Sequence, residues 1–189
     1  MREAQVPSNE IEILLGLADK CNAKYAIEVG TWCGGSAIPL AKKIKKNNGK
    51  LVCIDTFRGN VGTDLEDSAK SCDVFGMFKG SYLSQGLEDT IITIVADSKD
   101  VTFLKNHAFD FIFIDGDHRY SGVSKDIANL WLYLRLGGIM CGHDYNCKEY
   151  DERFVEVDFV DGIHHGVTKA VNEAFGEVNV ESTIWWVQK

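Results

Sequence analysis

Apolar residues arrive along this chain in short unbroken runs, and stretches of helical spacing separate them. Tyr25–Val29, Leu51–Ile54, Ile91–Val95, Phe109–Ile114 and Ile139–Gly142 are four to six residues long. Each meets Gly, Asp or His within two residues of its end, and each reads as a strand buried on both faces. Ser8–Cys21 reads as a helix, with Ser8 in a capping position and Ile11, Leu14, Leu15 and Leu17 near helical spacing. Ser36–Lys46 is a second helix, stopped by Asn47-Asn48-Gly49. Tyr120–Leu136 is a third, ended by Gly137-Gly138, and Val167–Phe175 is a fourth. Val178–Val180 and Ile184–Val187 pair through a tight Glu181–Thr183 connection. Residues 57–90 are polar and Gly-rich, and yield only a helix near Asp64–Ser71 and a mobile loop.

Strands that alternate with helices and are apolar throughout predict a mostly parallel α/β sheet covered on both faces. The short last connection predicts an antiparallel strand at one edge. Pro7 and Pro39 mark no linker, so residues 1–189 are read as one domain. Residues 1–24 form its N-terminal helical segment, and 57–90 and 145–165 its substrate or lid loops.

Composition narrows the partners. The 189 residues are 45% hydrophobic and 25% charged, as in an ordinary globular domain. A net charge of −8 argues against a nucleic-acid backbone as partner. Lys42, Lys43, Lys45 and Lys46 read as a solvated helix end. No apolar run approaches the roughly 20 residues of a membrane span, and no secretory leader is visible. Cys21, Cys33, Cys53, Cys72, Cys141 and Cys147 lack paired spacing, which disfavours zinc and fits reduced thiols in a cytoplasmic protein.

The candidate chemistry lies just past the strands. Gly30-Thr31, Asp55, Asp97-Ser98, Asp115 to His118 and His143-Asp144 occupy these places. In a parallel sheet they share one rim, where ligands of such folds bind. In the first turn, EVGTWCGGS (28–36), Gly30 permits a sharp bend, and Gly34-Gly35 permit close approach to the next helix. A dinucleotide fingerprint would place glycine where Trp32 stands. Glu28 adds negative charge, which suits an ammonium group rather than a phosphate. Asp55 can accept from two ribose hydroxyls, and Asp97 from an adenine amine. Together these residues suit a nucleoside that carries a cation.

These motifs resemble the class I S-adenosylmethionine-dependent methyltransferases. The narrower resemblance is to a small O-methyltransferase-like group whose fourth strand reads IDGDHxYxGVxxD, here Ile114 to Asp126, followed by LRLGGIMCGHDY (134–145) and GVTKAV (166–171). The resemblance implies a Rossmann-like, doubly wound sheet of seven strands, mostly parallel, with an antiparallel strand in an edge hairpin. It implies that Glu28, Gly30 and Gly34 surround the methionine part of the cofactor. Asp55 would take the ribose and Asp97-Ser98 would flank the adenine. Thr31, Ser36, Thr56 and Asp115 complete the implied cofactor-binding set.

The likeness extends to metal-dependent catechol-type enzymes. By that likeness Asp115, His143 and Asp144 stand where such enzymes hold Mg²⁺, and His143 would shift preference toward Mn²⁺. They are equally read as holding no metal. His118 stands near the place of the base, and an ordinary pKa of about 6.5 suits it to take a proton. Its other reading is a bond that orders the DGDH loop. With Asp115, His118 makes up the implied catalytic pair. Tyr120 and Tyr145 either line the substrate mouth or pack. Of His164 and His165, one faces the site and no two-histidine clamp forms. Trp185 and Trp186 split between the faces of an edge strand, one in the core and one at a surface or dimer contact, which leaves a homodimer open.

Three functions follow. One is a methyltransferase acting on a small-molecule hydroxyl. The second is a non-catalytic nucleoside-binding module or a methyltransferase's partner subunit. The third, an NAD(P)-dependent oxidoreductase, is disfavoured by Trp32.

Overall fold

A computed structural model describes residues 6–103, 109–146 and 149–189. Cys147 and parts of the N-terminal segment and of the 145–165 loop lie outside them. In chain order the elements are α1 (Ser8–Lys20), β1 (Tyr25–Val29), α2 (Ala37–Lys45), β2 (Lys50–Asp55), α3 (Asp64–Ser71), α4 (Val74–Ser84) and β3 (Ile91–Val95). Then come β4 (Phe109–Ile114), α5 (Tyr120–Trp131), β5 (Leu134–Gly142), α6 (His165–Phe175), β6 (Asn179–Glu181) and β7 (Ile184–Gln188).

The strands form one seven-stranded sheet in the order β3-β2-β1-β4-β5-β7-β6. β1 to β5 run parallel, and β7 inserts antiparallel between β5 and the edge strand β6. The expected hairpin is therefore present, with its last strand inside and its first strand outermost.

Side chains alternate across this sheet with period two. Ala26, Cys53, Phe111, Phe113, Ile139 and Cys141 face a layer built by α1, α2 and α4. Ile27, Val29, Ile54, Ile112, Ile114 and Met140 face α5 and α6. All six residues of β4 are buried, which is why that run carries no polar alternation except Asp110. The tryptophans split the same way. Trp185 is buried against the α5–α6 layer, whereas Trp186 is half-buried and packs on the other layer rather than standing at an open surface.

Several expectations change. Ser8 does not cap α1; Pro7 holds that position and its carbonyl accepts from Glu10 and Ile11 N–H at 2.9 and 3.0 Å. The helix expected to run to Leu136 ends at Trp131, and Leu134 already belongs to β5. Gly137-Gly138 do not stop a helix. They form an irregularity in β5, where Gly137 has φ +78° and the register against β4 shifts. A Cβ on Gly138 would lie 2.9 Å from the Asp110 carbonyl oxygen, so the strand needs glycine there. The 57–90 stretch contains α4, capped by Asp73 accepting from Gly76 N–H at 2.8 Å. Its glycines and serines depress helix propensity. Tertiary packing supplies the difference, since Phe78 is fully buried and its ring packs with Phe57 and Tyr82. Tyr145 is buried with its hydroxyl donating to Asn172 at 2.7 Å, and Tyr120 donates to Glu173 at 2.7 Å, so both pack.

Asp110 is, among the described residues, the one buried charge at the sheet's opposite end from the rim. It accepts from Lys24 and Tyr25 N–H at 2.8 and 2.7 Å and pairs with Arg135. It thereby joins the start of β1 to β4 and β5. Asp110→Ala leaves two backbone donors and a guanidinium without that acceptor. The expected loss is about 2–4 kcal/mol, read as a lower urea midpoint.

Candidate functional site

The C-terminal ends of β1 to β5 open onto a single cavity of about 530 Å³. That is within the roughly 300–1,000 Å³ of small-molecule sites. Gly30, Asp55, Asp97, Asp115 to His118, His143 and Asp144 all border it. Gly30 sits at φ +86°, and a Cβ there would lie 1.8 Å from the Asp115 carbonyl oxygen. Only glycine lets the ends of β1 and β4 meet.

The two other glycines of the turn divide their work. Gly34 has φ +91° and a Cβ on it would meet the Phe78 ring at 2.7 Å, so it admits α4 rather than a ligand. Gly35 and Ser36 form the cavity wall, with Thr31 beside them. Glu28 is fully buried one layer beneath this wall and does not border the cavity. Its carboxyl accepts from Ser36 Oγ, and burial, with Asp115 and Asp55 nearby, pushes its pKa up to about 8. Glu28 therefore acts through Ser36. A direct contact with an ammonium group is not what this placement offers.

Asp55 is held by the backbone. Trp32 N–H donates to its Oδ2 at 2.7 Å and Phe57 N–H to its Oδ1 at 2.6 Å. Both donors sit in the left-handed region, at φ +46° and +55°. A carboxylate has about four lone-pair sites, so acceptor capacity remains for a ligand. Burial raises the Asp55 pKa, and the backbone bonds oppose that rise. Thr56 borders the cavity next to it.

Asp97 and Ser98, at the far end, already have partners. Burial raises the Asp97 pKa, but the Lys99 bonds outweigh it and hold the carboxyl low. Ser98 Oγ donates to Asp126 Oδ1 at 2.5 Å. Asp126 is buried on α5, and burial pushes its pKa up to about 7.

The remaining wall is a knot of imidazoles and carboxylates. His143 Nδ1 lies 3.5 Å from Asp115 Oδ1 and 3.2 Å from Asp144 Oδ1, and its Nε2 lies 2.8 Å from Glu10 Oε2. His118 Nε2 lies 3.2 Å from Asp144 Oδ2 and 3.7 Å from Asp115 Oδ1, and its Nδ1 lies 3.0 Å from Asp158 Oδ1. His164 Nε2 lies 3.6 Å from Asp144 Oδ1. His165 turns away and accepts from Asp151 N–H at 3.0 Å.

Charge follows this geometry. Burial works against the His118 cation, yet Asp115, Asp158 and Asp144 outweigh it and raise its pKa to about 10. Three carboxylates around the ring favour its protonated form, against an imidazole left near its ordinary pKa. Burial raises the Asp115 pKa, but His118 and His143 lower it further, to about 2. Atoms of Asp115, His143 and Asp144 lie within 4.8 Å of one another, as do those of His118, Asp144 and His164. Mixed oxygen and nitrogen donors at that spacing fit a divalent ion.

Sequence reasoning missed Glu10 and Asp158, and gave Asp126 no role beyond its place in the motif. Glu10 is four residues before Leu14 on the buried stripe of α1, and Asp126 lies among Val123, Ile127 and Leu130 on that of α5. A lone acid on an apolar stripe was the available signal for both. Asp158 stands in an irregular loop and carries no such signal.

The family model described as "Methyltransferase domain" matches residues 27–145. Among solved structures, the O-methyltransferase TomG from Streptomyces achromogenes, in complex with SAM, is 15% identical, with a TM-score of 0.71 over 100% of this chain and 83% of that one. An O-methyltransferase from Bacillus cereus, in complex with SAH, is 18% identical, with a TM-score of 0.63 over 99% and 84%. A SAM-dependent O-methyltransferase from Thermotoga maritima is 13% identical, with a TM-score of 0.64 over 100% and 68%. These likenesses establish the fold.

Glu28 gives a pH test. Its folded pKa of about 8 lies above its ordinary 4.5, so the folded state binds the extra proton between those values. Its stabilising contribution is complete below pH 4.5 and is lost as pH rises through 8. Thermal melts from pH 5 to 9 are expected to show a smaller decline for Glu28→Gln than for the parent. The difference at high pH is of the order of a few kcal/mol.

Proposed function

The chain belongs to the methyltransferase-domain family, and from that premise we propose that it methylates a hydroxyl of a small molecule with S-adenosylmethionine as donor. One observation carries the donor: Asp55, fixed by two backbone N–H groups beside Gly30, presents spare acceptor sites to the cavity. A vicinal ribose diol is the complementary group. Gly30 and Gly35 let the ligand approach the backbone of the first turn, where Thr31 and Ser36 add polar wall. Asp97 closes the adenine end. When bound, S-adenosylmethionine supplies a methyl carbon on a sulfonium, open to in-line displacement by an acceptor oxygen. The walls then act by holding donor and acceptor in line, the largest contribution such a transfer needs.

The acceptor side is the histidine and aspartate knot. Asp115, His143 and Asp144 are the residues that would hold a divalent ion, Mg²⁺ or Mn²⁺, whose Lewis acidity would make an acceptor hydroxyl easier to ionise. His118 is not assigned the base's role, because Asp115, Asp144 and Asp158 around its ring favour the protonated form. The chain's acidity favours a small acceptor over nucleic acid. No helix among the described residues is long and apolar enough to cross a membrane.

Calorimetry tests the donor. S-adenosylmethionine and S-adenosylhomocysteine are expected to bind, and Asp55→Ala to weaken both by about 10- to 100-fold, the worth of hydrogen bonds to a charged acceptor. A wild-type protein that binds neither nucleoside would refute the reading. Unchanged affinity in Asp55→Ala would refute the ribose assignment.

A further inference from the structure

The far end of the cavity holds a buried carboxyl to which the donor reading gives no task. Asp126 stands on the apolar stripe of α5 with Val123, Ile127 and Leu130 and is 3% exposed, yet it borders the cavity. A buried acid needs a hydrogen-bond partner. Its partner is the Ser98 hydroxyl, which comes from the turn after β3, lies 2.5 Å away and borders the cavity too. Asp97, the other acid of that turn, is engaged locally. Its Oδ2 accepts from the Lys99 ammonium and its Oδ1 from the Lys99 N–H at 3.1 Å. Ser98 and Asp126 instead bond to each other across two elements.

A hydroxyl has one hydrogen and two lone pairs. When Asp126 is an anion, the Ser98 hydrogen is committed to Oδ1, and the hydroxyl has only lone pairs left for a ligand. This pair then offers acceptors alone. It suits the N–H donors of a 6-amino group and opposes the oxygen of a 6-oxo group. When Asp126 carries a proton, the carboxyl can donate to Ser98 Oγ. The hydroxyl hydrogen is then released toward the cavity, where an oxo group finds a donor. The direction of this hydrogen bond follows a single proton.

We propose that Asp126 is a positioning residue that sets the direction of the Ser98 hydroxyl, and so makes this end of the cavity prefer a 6-aminopurine to a 6-oxopurine. The inference rests on the reading above that the cavity takes S-adenosylmethionine, and it adds the group that reads the base. The charged groups around Asp126 are Asp97 and Asp117. Lys99 and Lys125 lie near Asp97, and Asp117 is paired with Arg119 at 2.6 Å. Burial, helped by these two acids and opposed by the Ser98 bond, raises the Asp126 pKa to about 7. The bond therefore reverses near neutral pH, with the preference for the amino group stronger on the alkaline side.

The test is calorimetry of the full-length protein with S-adenosylhomocysteine and S-inosylhomocysteine, which differ only along the amino or oxo edge of the purine, from pH 5.5 to 8. The ratio of the two affinities cancels groups that titrate elsewhere in the cavity, and a merely structural role for Asp126 would not move it. The ratio in favour of S-adenosylhomocysteine is expected to rise about tenfold or more across this range, the worth of a hydrogen bond to a charged acceptor. Asp126→Asn keeps the shape but cannot titrate, and is expected to hold the ratio constant to within about twofold. Ser98→Ala, which removes the hydroxyl, is expected to do the same. Thermal melts show whether each variant is folded, and the wild-type profile decides by itself if neither is. A wild-type ratio that does not change with pH would overturn the proposal and leave the donor reading intact. So would a pH-dependent ratio that persists in folded Asp126→Asn. A wild type that binds neither nucleoside at any pH would refute the donor reading and this proposal with it.

Discussion

The contact on which the rim depends is the one between Gly30 and Asp115. Past the end of β4, Asp115 N–H donates to the Val29 carbonyl at 2.8 Å, and past the end of β1, Gly30 N–H donates to the Ile54 carbonyl at 3.0 Å. The same latch repeats outward, with Ala96 N–H on Asp55 at 3.1 Å and His143 N–H on Ile114 at 3.1 Å. The parallel ladder therefore runs one residue beyond β1, β3, β4 and β5, and after β1, β4 and β5 that residue, Gly30, Asp115 or His143, belongs to the site. A methyl group at Gly30 would overlap the Asp115 carbonyl, so the whole row rests on an absent side chain. Side chains set by sheet hydrogen bonds are placed more precisely than side chains on loops.

That precision concentrates carboxyl groups, and each is made tolerable differently. Glu28, fully buried, takes up a proton. Asp55 is paired with two backbone N–H dipoles, bent toward it by unusual torsions at Trp32 and Phe57. Asp115 stays ionised because His118 and His143 surround it. Moving along the rim from β2 through β1 to β4, the compensation changes from dipole to proton to cation. The electrostatic character of the cavity changes with it. The β2 side offers acceptors to hydroxyl groups, and the β4–β5 side is built for positive charge.

The sequence made the sheet readable because buried parallel strands cannot hide. Runs such as Leu51–Ile54 and Phe109–Ile114 admit no other placement once helices separate them. The rim residues were readable for the same reason, since a parallel strand fixes where its next residue lies. What escaped was whatever depended on partners remote in the chain. Leu134 and Leu136 kept a helical spacing, but β4 claimed the segment as a strand and Gly137-Gly138 became its irregularity. The glycines of α4 disguised a helix that the aromatic packing of Phe57, Phe78 and Tyr82 sustains. His118 looked like a base because its motif shows Asp115, while Asp144 and Asp158 arrive from elsewhere and reverse the inference.

Glu10 shows how far that remoteness goes. It belongs to the helix most easily dismissed as an appendage, yet it is 2% exposed. Its Oε1 accepts from Ser182 Oγ at 2.6 Å and from Thr183 Oγ1 at 2.7 Å, and its Oε2 meets His143. Burial raises its pKa, and these partners bring it down to about 2, so it remains an anion. One carboxylate thus ties α1 and the β6–β7 turn to the end of β5. A site whose histidine is oriented from residue 10 and residues 182–183 cannot assemble before α1 and the β6–β7 hairpin have docked on β5. The acceptor side is accordingly a product of the finished fold, while the turn between β1 and α2 is specified within a few residues of chain.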